Sequence, residues 1–132
     1  MAIIEEKNLT IIRKKGDIPS VPFLSIKEKV LGKKYNLTLI FCTKKESQER
    51  NKTYRDKDYP TNILSFPLDE NTGEIYIYLS KARSEAKNFS LSYLEFLHLL
   101  FIHGCLHLKG YDHSSTMEEL EDKYLQGFLR EK

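Results

Sequence analysis

Three of the chain's four histidines fall in one eleven-residue run, His103-Gly-Cys-Leu-His107-Leu-Lys-Gly110-Tyr-Asp-His113. On a helix, residues four apart share a face with Cβ atoms roughly 6 Å from each other, so His103 and His107 can aim their rings at one point. Gly110 follows three residues on. It reaches the left-handed conformation without steric cost, which lets it end the helix and turn the chain back. His113 then arrives from a loop at a third corner of a tetrahedron, with ring nitrogens about 2 Å from a zinc ion. Three protein ligands leave a fourth position open for water, the pattern of a catalytic zinc; structural zinc sites are usually closed and rich in cysteine. A lone histidine on an apolar helix is ordinarily a core residue. His98 is such a case: five residues before His103, it is rotated about 140° around the helix and is left out of the metal site. Cys105, between the ligands in sequence, points elsewhere and reads as a buried thiol.

The elements that must carry this site follow from capping and periodicity. Ser92-Tyr-Leu-Glu95 is a capping box that opens the helix bearing His103 and His107. Leu94, Leu97, Leu100, Phe101 and Leu108 give that helix broad apolar cover, as a central buried element requires. Ser115-Thr-Met-Glu118 offers a second box, opening a C-terminal helix that packs through Leu120, Tyr124, Leu125 and Phe128. Upstream, Leu9–Arg13 predicts a strand, and Pro19 and Pro22 mark a loop. Ser25 is placed to cap a short helix with Ile26, Val30 and Leu31 on its apolar face. Leu37–Cys42, nearly apolar throughout, predicts a central strand, and Lys44–Tyr54 a polar surface helix. Asn62–Phe66 and Glu74–Leu79 read as a hairpin through Asp69-Glu-Asn-Thr-Gly73, with Ile75, Ile77 and Leu79 alternating against Glu74, Tyr76 and Tyr78. Irregular alternation of these elements predicts an α+β fold: a small mixed four-stranded sheet packed with helices, with the zinc site on a central helix and the loop after it.

Composition sets the class. At 132 residues, residues 1–132 are expected to form a single domain, and 40% hydrophobic with 30% charged residues is ordinary for a globular protein. Glu5 and Glu6 and the lack of a long apolar stretch argue against a secretory signal. The most apolar segment, Phe96–Leu108, is too short to span a bilayer. Cys42 and Cys105 form neither a CxxC pair nor a disulfide framework, so a cytoplasmic location is expected. Net charge is only +2, but residues 1–60 hold fourteen Lys/Arg against eight Asp/Glu, whereas residues 61–132 hold seven against eleven. Basic clusters of that kind can track a phosphate backbone, although scattered lysines are more often only a solvated surface.

The histidine spacing also occurs in metzincin proteases, where a glutamate directly after the first histidine is the general base. Gly104 occupies that position here, which disfavours peptide hydrolysis by that route. A glycine inside a helix costs roughly 1 kcal/mol relative to alanine, so close backbone packing or room for a ligand must explain it. What remains is hydrolysis by a zinc-activated water, whose pKa the metal lowers towards about 7.

The run His103-Gly-x-Leu-His107-Leu-x-Gly110-Tyr111-Asp112-His113 resembles the signature of the YbeY family of bacterial endoribonucleases. Asn51-x-x-Tyr54-Arg55, Pro60-Thr61-x-Ile63-Leu64-Ser65-Phe66-Pro67 and Gly73-Glu74-Ile75 are similar to the family's other segments, in order. Met117, Glu121 and Leu125 echo its C-terminal helix. The resemblance implies a single-strand-specific, zinc-dependent endoribonuclease acting in 16S rRNA maturation and ribosome quality control. It implies one zinc ion per chain on His103, His107 and His113, and Arg55 in cleavage or RNA binding. Expected partners are single-stranded RNA, an rRNA precursor and the ribosome or its proteins, with no membrane and no DNA. A guanidinium suits Arg55's role because it grips two phosphate oxygens at once; the plainer alternative is an ion pair with Asp56 or Asp58. Two positions depart from the family's usual aspartates: Asn62 lacks the charge, and Glu74 carries it on a longer arm. Asp112 could orient a ligand histidine, and Tyr76 and Tyr111 could stack on bases, buried packing being the commoner use of each. Two rival functions stand beside the nuclease: a non-catalytic, zinc-stabilised ribosome-assembly factor, and a zinc hydrolase acting on another substrate.

Overall fold

In a computed structural model describing residues 1–130, five strands and five α-helices alternate along the chain. They are β1 (Ala2–Glu6), β2 (Leu9–Arg13), α1 (Phe23–Val30), β3 (Asn36–Phe41), α2 (Lys44–Arg55), β4 (Ile63–Asp69), β5 (Thr72–Ile77), α3 (Leu79–Glu85), α4 (Tyr93–Lys109) and α5 (Ser115–Arg130). A 3-10 turn at Ala86–Phe89 joins α3 to α4. The sheet order is β1-β2-β3-β5-β4; β2, β3 and β5 run parallel, and each edge strand pairs antiparallel with its neighbour. The class is α+β, as the sequence predicts, with one more strand than the four expected.

The extra strand is β1. Only Ala2 is even half-buried, so no apolar alternation marks it. Its hairpin with β2 turns through Lys7 and Asn8, both at positive φ (42° and 67°). Two successive left-handed residues make the tight turn whose twist suits a hairpin. Three local expectations also shift. The first turn of α1 starts at Phe23 after Pro22, with no side-chain cap, so Ser25 lies inside the helix. The cap of α5 is Ser114, whose hydroxyl accepts the Met117 N–H at 3.1 Å, one residue before the expected Ser115. Leu79 begins α3 instead of ending β5.

Both faces of the sheet are used. Leu9, Ile11, Leu37, Leu39, Phe41, Ile75 and Ile77 turn to one face and bury against α1, α4 and α5 in the main core. Each such side chain contributes about 1.5–3 kcal/mol when fully buried. Alternate residues Cys42, Leu64 and Tyr76 form a smaller cluster on the other face, with Ile40, Phe66 and Tyr78 beside it. There α2 lies on the sheet, with Arg50 over the Tyr76 ring and Tyr54 against Phe66. α4 is the central helix, and Phe96, Leu97, Phe101, Ile102 and Leu106 are at most 1% exposed. Among the described residues, no single helix is long and apolar enough to cross a membrane.

Candidate metal centre and cleft

α4 begins at the box expected from sequence: Ser92 accepts the Glu95 N–H, and Glu95 accepts the Ser92 N–H in return. It ends at Gly110, φ 111°, where the N–H groups of Gly110 and Tyr111 return to the carbonyls of His107 and Leu106. That reversal presents His113 to the two helical histidines. The three ring centroids stand 4.5, 4.8 and 5.1 Å apart, and one nitrogen from each ring lies within 4.8 Å of the others. His98 is fully buried outside this group, with Nδ1 2.7 Å from the Leu94 carbonyl.

Two of the rings are held from behind. Nδ1 of His107 faces the Tyr111 carbonyl at 2.9 Å, and a carbonyl can only accept, so Nδ1 donates. Nδ1 of His103 donates in the same way to Oε1 of Glu121 at 2.6 Å. With both rings neutral, the form a metal requires, both Nε2 atoms carry lone pairs, and they face one another at 3.1 Å. Two lone pairs so close repel unless a cation lies between them. Two nitrogens each bound about 2.0–2.1 Å from a tetrahedral zinc ion are about 3.4 Å apart, so the observed spacing fits. Burial, and then the neighbouring His103 and His113, lower the pKa of His107 and favour the neutral form that a metal requires. The donor set fits one divalent ion with nitrogen preference.

Glu121, noted in the sequence only as part of the C-terminal helix, is the site residue whose contact with His103 motif reading did not anticipate. It lies on the same stripe of α5 as Met117 and Leu125, both buried, and an acid set into an apolar face is the signal that could have assigned it a role. A carboxylate behind a ligand histidine fixes its tautomer and raises its basicity. Asp112, the alternative orienter, is exposed and lines the cleft.

The cleft, about 570 Å³, runs from the histidines to Arg55, Lys57 and Asn62. Arg55 is the last residue of α2, and its place is set by ties along that helix. Thr43 and Glu46 make a reciprocal capping box at its start. The buried Ser47 and Asn51 bind the carbonyls of Thr61 and Tyr59 at 2.7 and 2.8 Å, holding the segment between α2 and β4 to the helix. Arg55 itself donates to the Ser65 carbonyl at 3.0 Å, whereas Asp58 pairs with Lys52 and Gln48. The ion-pair alternative for Arg55 is therefore not what the structure shows.

Gly104 is explained by packing. A Cβ there would lie 3.0 Å from the Cδ1 atoms of Ile63 and Ile75 and 3.1 Å from the Ser65 hydroxyl. Position 104 faces the sheet, so α4 sits close on β4 and β5 and no glutamate fits. Asn62 lines the cleft but donates to Glu85 at 2.9 Å. Glu74 lies outside it, in a groove on the α2 face of the sheet. Cys105 is fully buried, which raises its pKa, and burial pushes Cys42 up to about 12; both are inert packing thiols. Tyr76, 8% exposed, is a packing residue, and Tyr111 packs against the main core.

Comparison with known proteins agrees with this architecture. A sequence model described as endoribonuclease YbeY matches residues 10–129. A protein named endoribonuclease YbeY from Onion yellows phytoplasma is 41% identical over 118 residues, covering 79% of this chain and 77% of that one. Its namesake from Malacoplasma penetrans is 37% identical over 131 residues, covering 94% and 81%. The solution structure of TM1509 from Thermotoga maritima superimposes with a TM-score of 0.60 at 34% identity, over 81% of this chain and 76% of that one. On these matches, the chain belongs to the endoribonuclease YbeY family.

Proposed function

We propose that this protein is a zinc-dependent, single-strand-specific endoribonuclease of 16S rRNA maturation and ribosome quality control. It would act in the cytoplasm as one catalytic domain spanning residues 1–132. The observation that carries the reading is the convergence of two oriented imidazoles and His113 at the end of a cleft whose far wall bears Arg55. Family membership supports RNA as the substrate. Ribosomal proteins would be met as partners on the rRNA precursor.

His103, His107 and His113 would hold the metal. Zinc there would supply Lewis-acid polarisation and acidify a coordinated water towards about pH 7. The chain's own groups do the rest. Glu121 and the Tyr111 carbonyl keep the Nδ1 protons in place, so the Nε2 atoms stay basic. Arg55, steadied by the Ser65 carbonyl, retains guanidinium N–H groups for phosphate oxygens and for charge developing at the scissile phosphate. Lys57 adds a second cation to that wall, which strengthens phosphate attraction at low salt.

One observation favours a second reading, the non-catalytic assembly factor. Asp112, an exposed residue, is the only carboxylate among the described residues lining the cleft, which leaves few groups there to act as a general base. Cleavage of a labelled single-stranded rRNA-precursor fragment by zinc-loaded protein, beside Arg55→Ala with equal zinc content, separates the two. Loss of cleavage by at least about a hundredfold in the variant is expected, as for removal of one donor to a developing oxyanion. RNA binding without cleavage by the parent protein would move the assignment to the assembly factor.

A further inference from the structure

We propose that the groove between the C-terminal half of α2 and the outer face of the β4–β5 hairpin is a nucleobase subsite. It would take a base of single-stranded RNA that flanks the nucleotide at the metal, and so rests on the RNA reading of that cleft. The groove, about 400 Å³, is walled by Tyr54, Phe66 and Tyr76. Tyr54 and Phe66 ring centroids are 5.0 Å apart, and Phe66 and Tyr76 5.7 Å apart. Two guanidinium groups lie against this ladder: Arg50 is 4.4 Å from the Tyr76 centroid and Arg55 5.5 Å from that of Phe66. The ladder is graded in exposure. Tyr76 is 8% exposed and Phe66 half-buried, while Tyr54 at 63% leaves a ring open to solvent. A buried aromatic needs no ligand to explain it. An open one, braced at a 58° tilt by a second ring beside two arginines, is a stacking platform of the kind that single-stranded nucleic acid uses.

Continuity favours RNA over a protein occupant. Arg55 and Ser65 line both this groove and the metal cleft, so a strand held over the histidines passes across Arg55 into the ladder. Glu74 then sets the polarity of the subsite. It stands opposite Phe66 in the strand register, lines the groove and accepts from the Tyr76 hydroxyl at 3.4 Å. A carboxylate repels phosphate but accepts from the exocyclic amine of a base, as acidic side chains do from the cytosine amine. The base, with its donor edge towards Glu74, therefore occupies the groove, and the backbone stays on the arginine side. Cytosine is favoured over uracil, which has a carbonyl at the same ring position.

The test is anisotropy of hydrolysis-resistant phosphorothioate oligocytidylate and oligouridylate on zinc-loaded protein, with the parent's cleavage of ordinary RNA measured separately. Tyr54→Ala should weaken oligocytidylate about tenfold, the loss of one stacked base, with Tyr54→Phe restoring it. The parent should prefer oligocytidylate severalfold, and Glu74→Gln should abolish that preference. Tyr54 is exposed, so unchanged thermal unfolding of Tyr54→Ala is expected and keeps the comparison clean. Both variants binding both oligomers as the parent does would overturn the subsite and leave the groove to a protein partner. If the parent cleaves RNA in that case, the nuclease stands without the subsite. If the variants behave as expected and the parent does not cleave, the nuclease fails and the subsite stands. A parent that binds neither oligomer overturns the subsite, and the nuclease with it when ordinary RNA also stays intact.

Discussion

Glu121 carries the sharpest consequence at the scale of single residues. Its carboxylate accepts a hydrogen bond from His103 Nδ1 across the α4–α5 contact, so Glu121→Gln keeps the shape and loses the charge. Zinc affinity should fall about ten- to hundredfold, as for other partners behind a ligand histidine; competition with a coloured chelator reads it, and an unchanged affinity would contradict the role. His107 supplies a pH signature. Its folded pKa lies below the ordinary 6.5 because burial disfavours the cation, so on acidification the unfolded chain takes the proton first. Stability of the metal-free protein should be level above pH 6.5 and fall as pH drops below it. The urea midpoint of the parent should lose this dependence in His107→Gln, and an equal slope in both proteins would refute the assignment. The histidine cluster was legible because its spacing is local: four residues on a helix, then a glycine turn. The pairing of Glu121 with His103 was not, since the two stand eighteen positions apart and meet only when two helices dock.

Among the elements, the junction of α4 with its loop is where conformation and ligation meet. Gly110 holds φ 111°, a region that costs a side-chain-bearing residue roughly 1–2 kcal/mol. No atom lies within 4 Å of a Cβ built there, so Gly110→Ala adds backbone strain without a clash. Urea unfolding should show a loss of about 1–2 kcal/mol together with weaker zinc binding, because the same turn delivers His113 and the Tyr111 carbonyl. A stability loss with zinc affinity intact would mean that His113 is positioned independently of the turn. Capping boxes and apolar periodicity made α4, α5 and the central strands readable, and a polar run marked α2. β1 was hidden because an exposed edge strand carries no apolar face, and α3 because seven residues without a side-chain cap give no start signal. The one-residue error at α5 arose from adjacent serines that both match a cap.

For the whole molecule, the sheet divides the labour. One face builds the rigid core on which α4 lies, and Gly104 brings that helix close enough to β4 for the Ser65 hydroxyl to face the Gly104 carbonyl at 3.4 Å. The other face holds α2, whose end places Arg55 across the strand edge from the histidines. The three histidines and the cleft's Arg55 thus come from opposite sides of one strand. The class and the histidine-bearing helix were readable from sequence; the meeting of α2 with β4 was not, because it depends on the buried Ser47 and Asn51 gripping backbone carbonyls, and side-chain type alone does not reveal such contacts. The most direct measurement is the rate of single-stranded RNA cleavage as zinc is added to metal-free protein, beside His103→Ala. The rate should rise in proportion to zinc, level off at one equivalent per chain and stay at background in the variant. Cleavage that is independent of zinc, or undiminished in His103→Ala, would contradict a metal-dependent nuclease built on this histidine site.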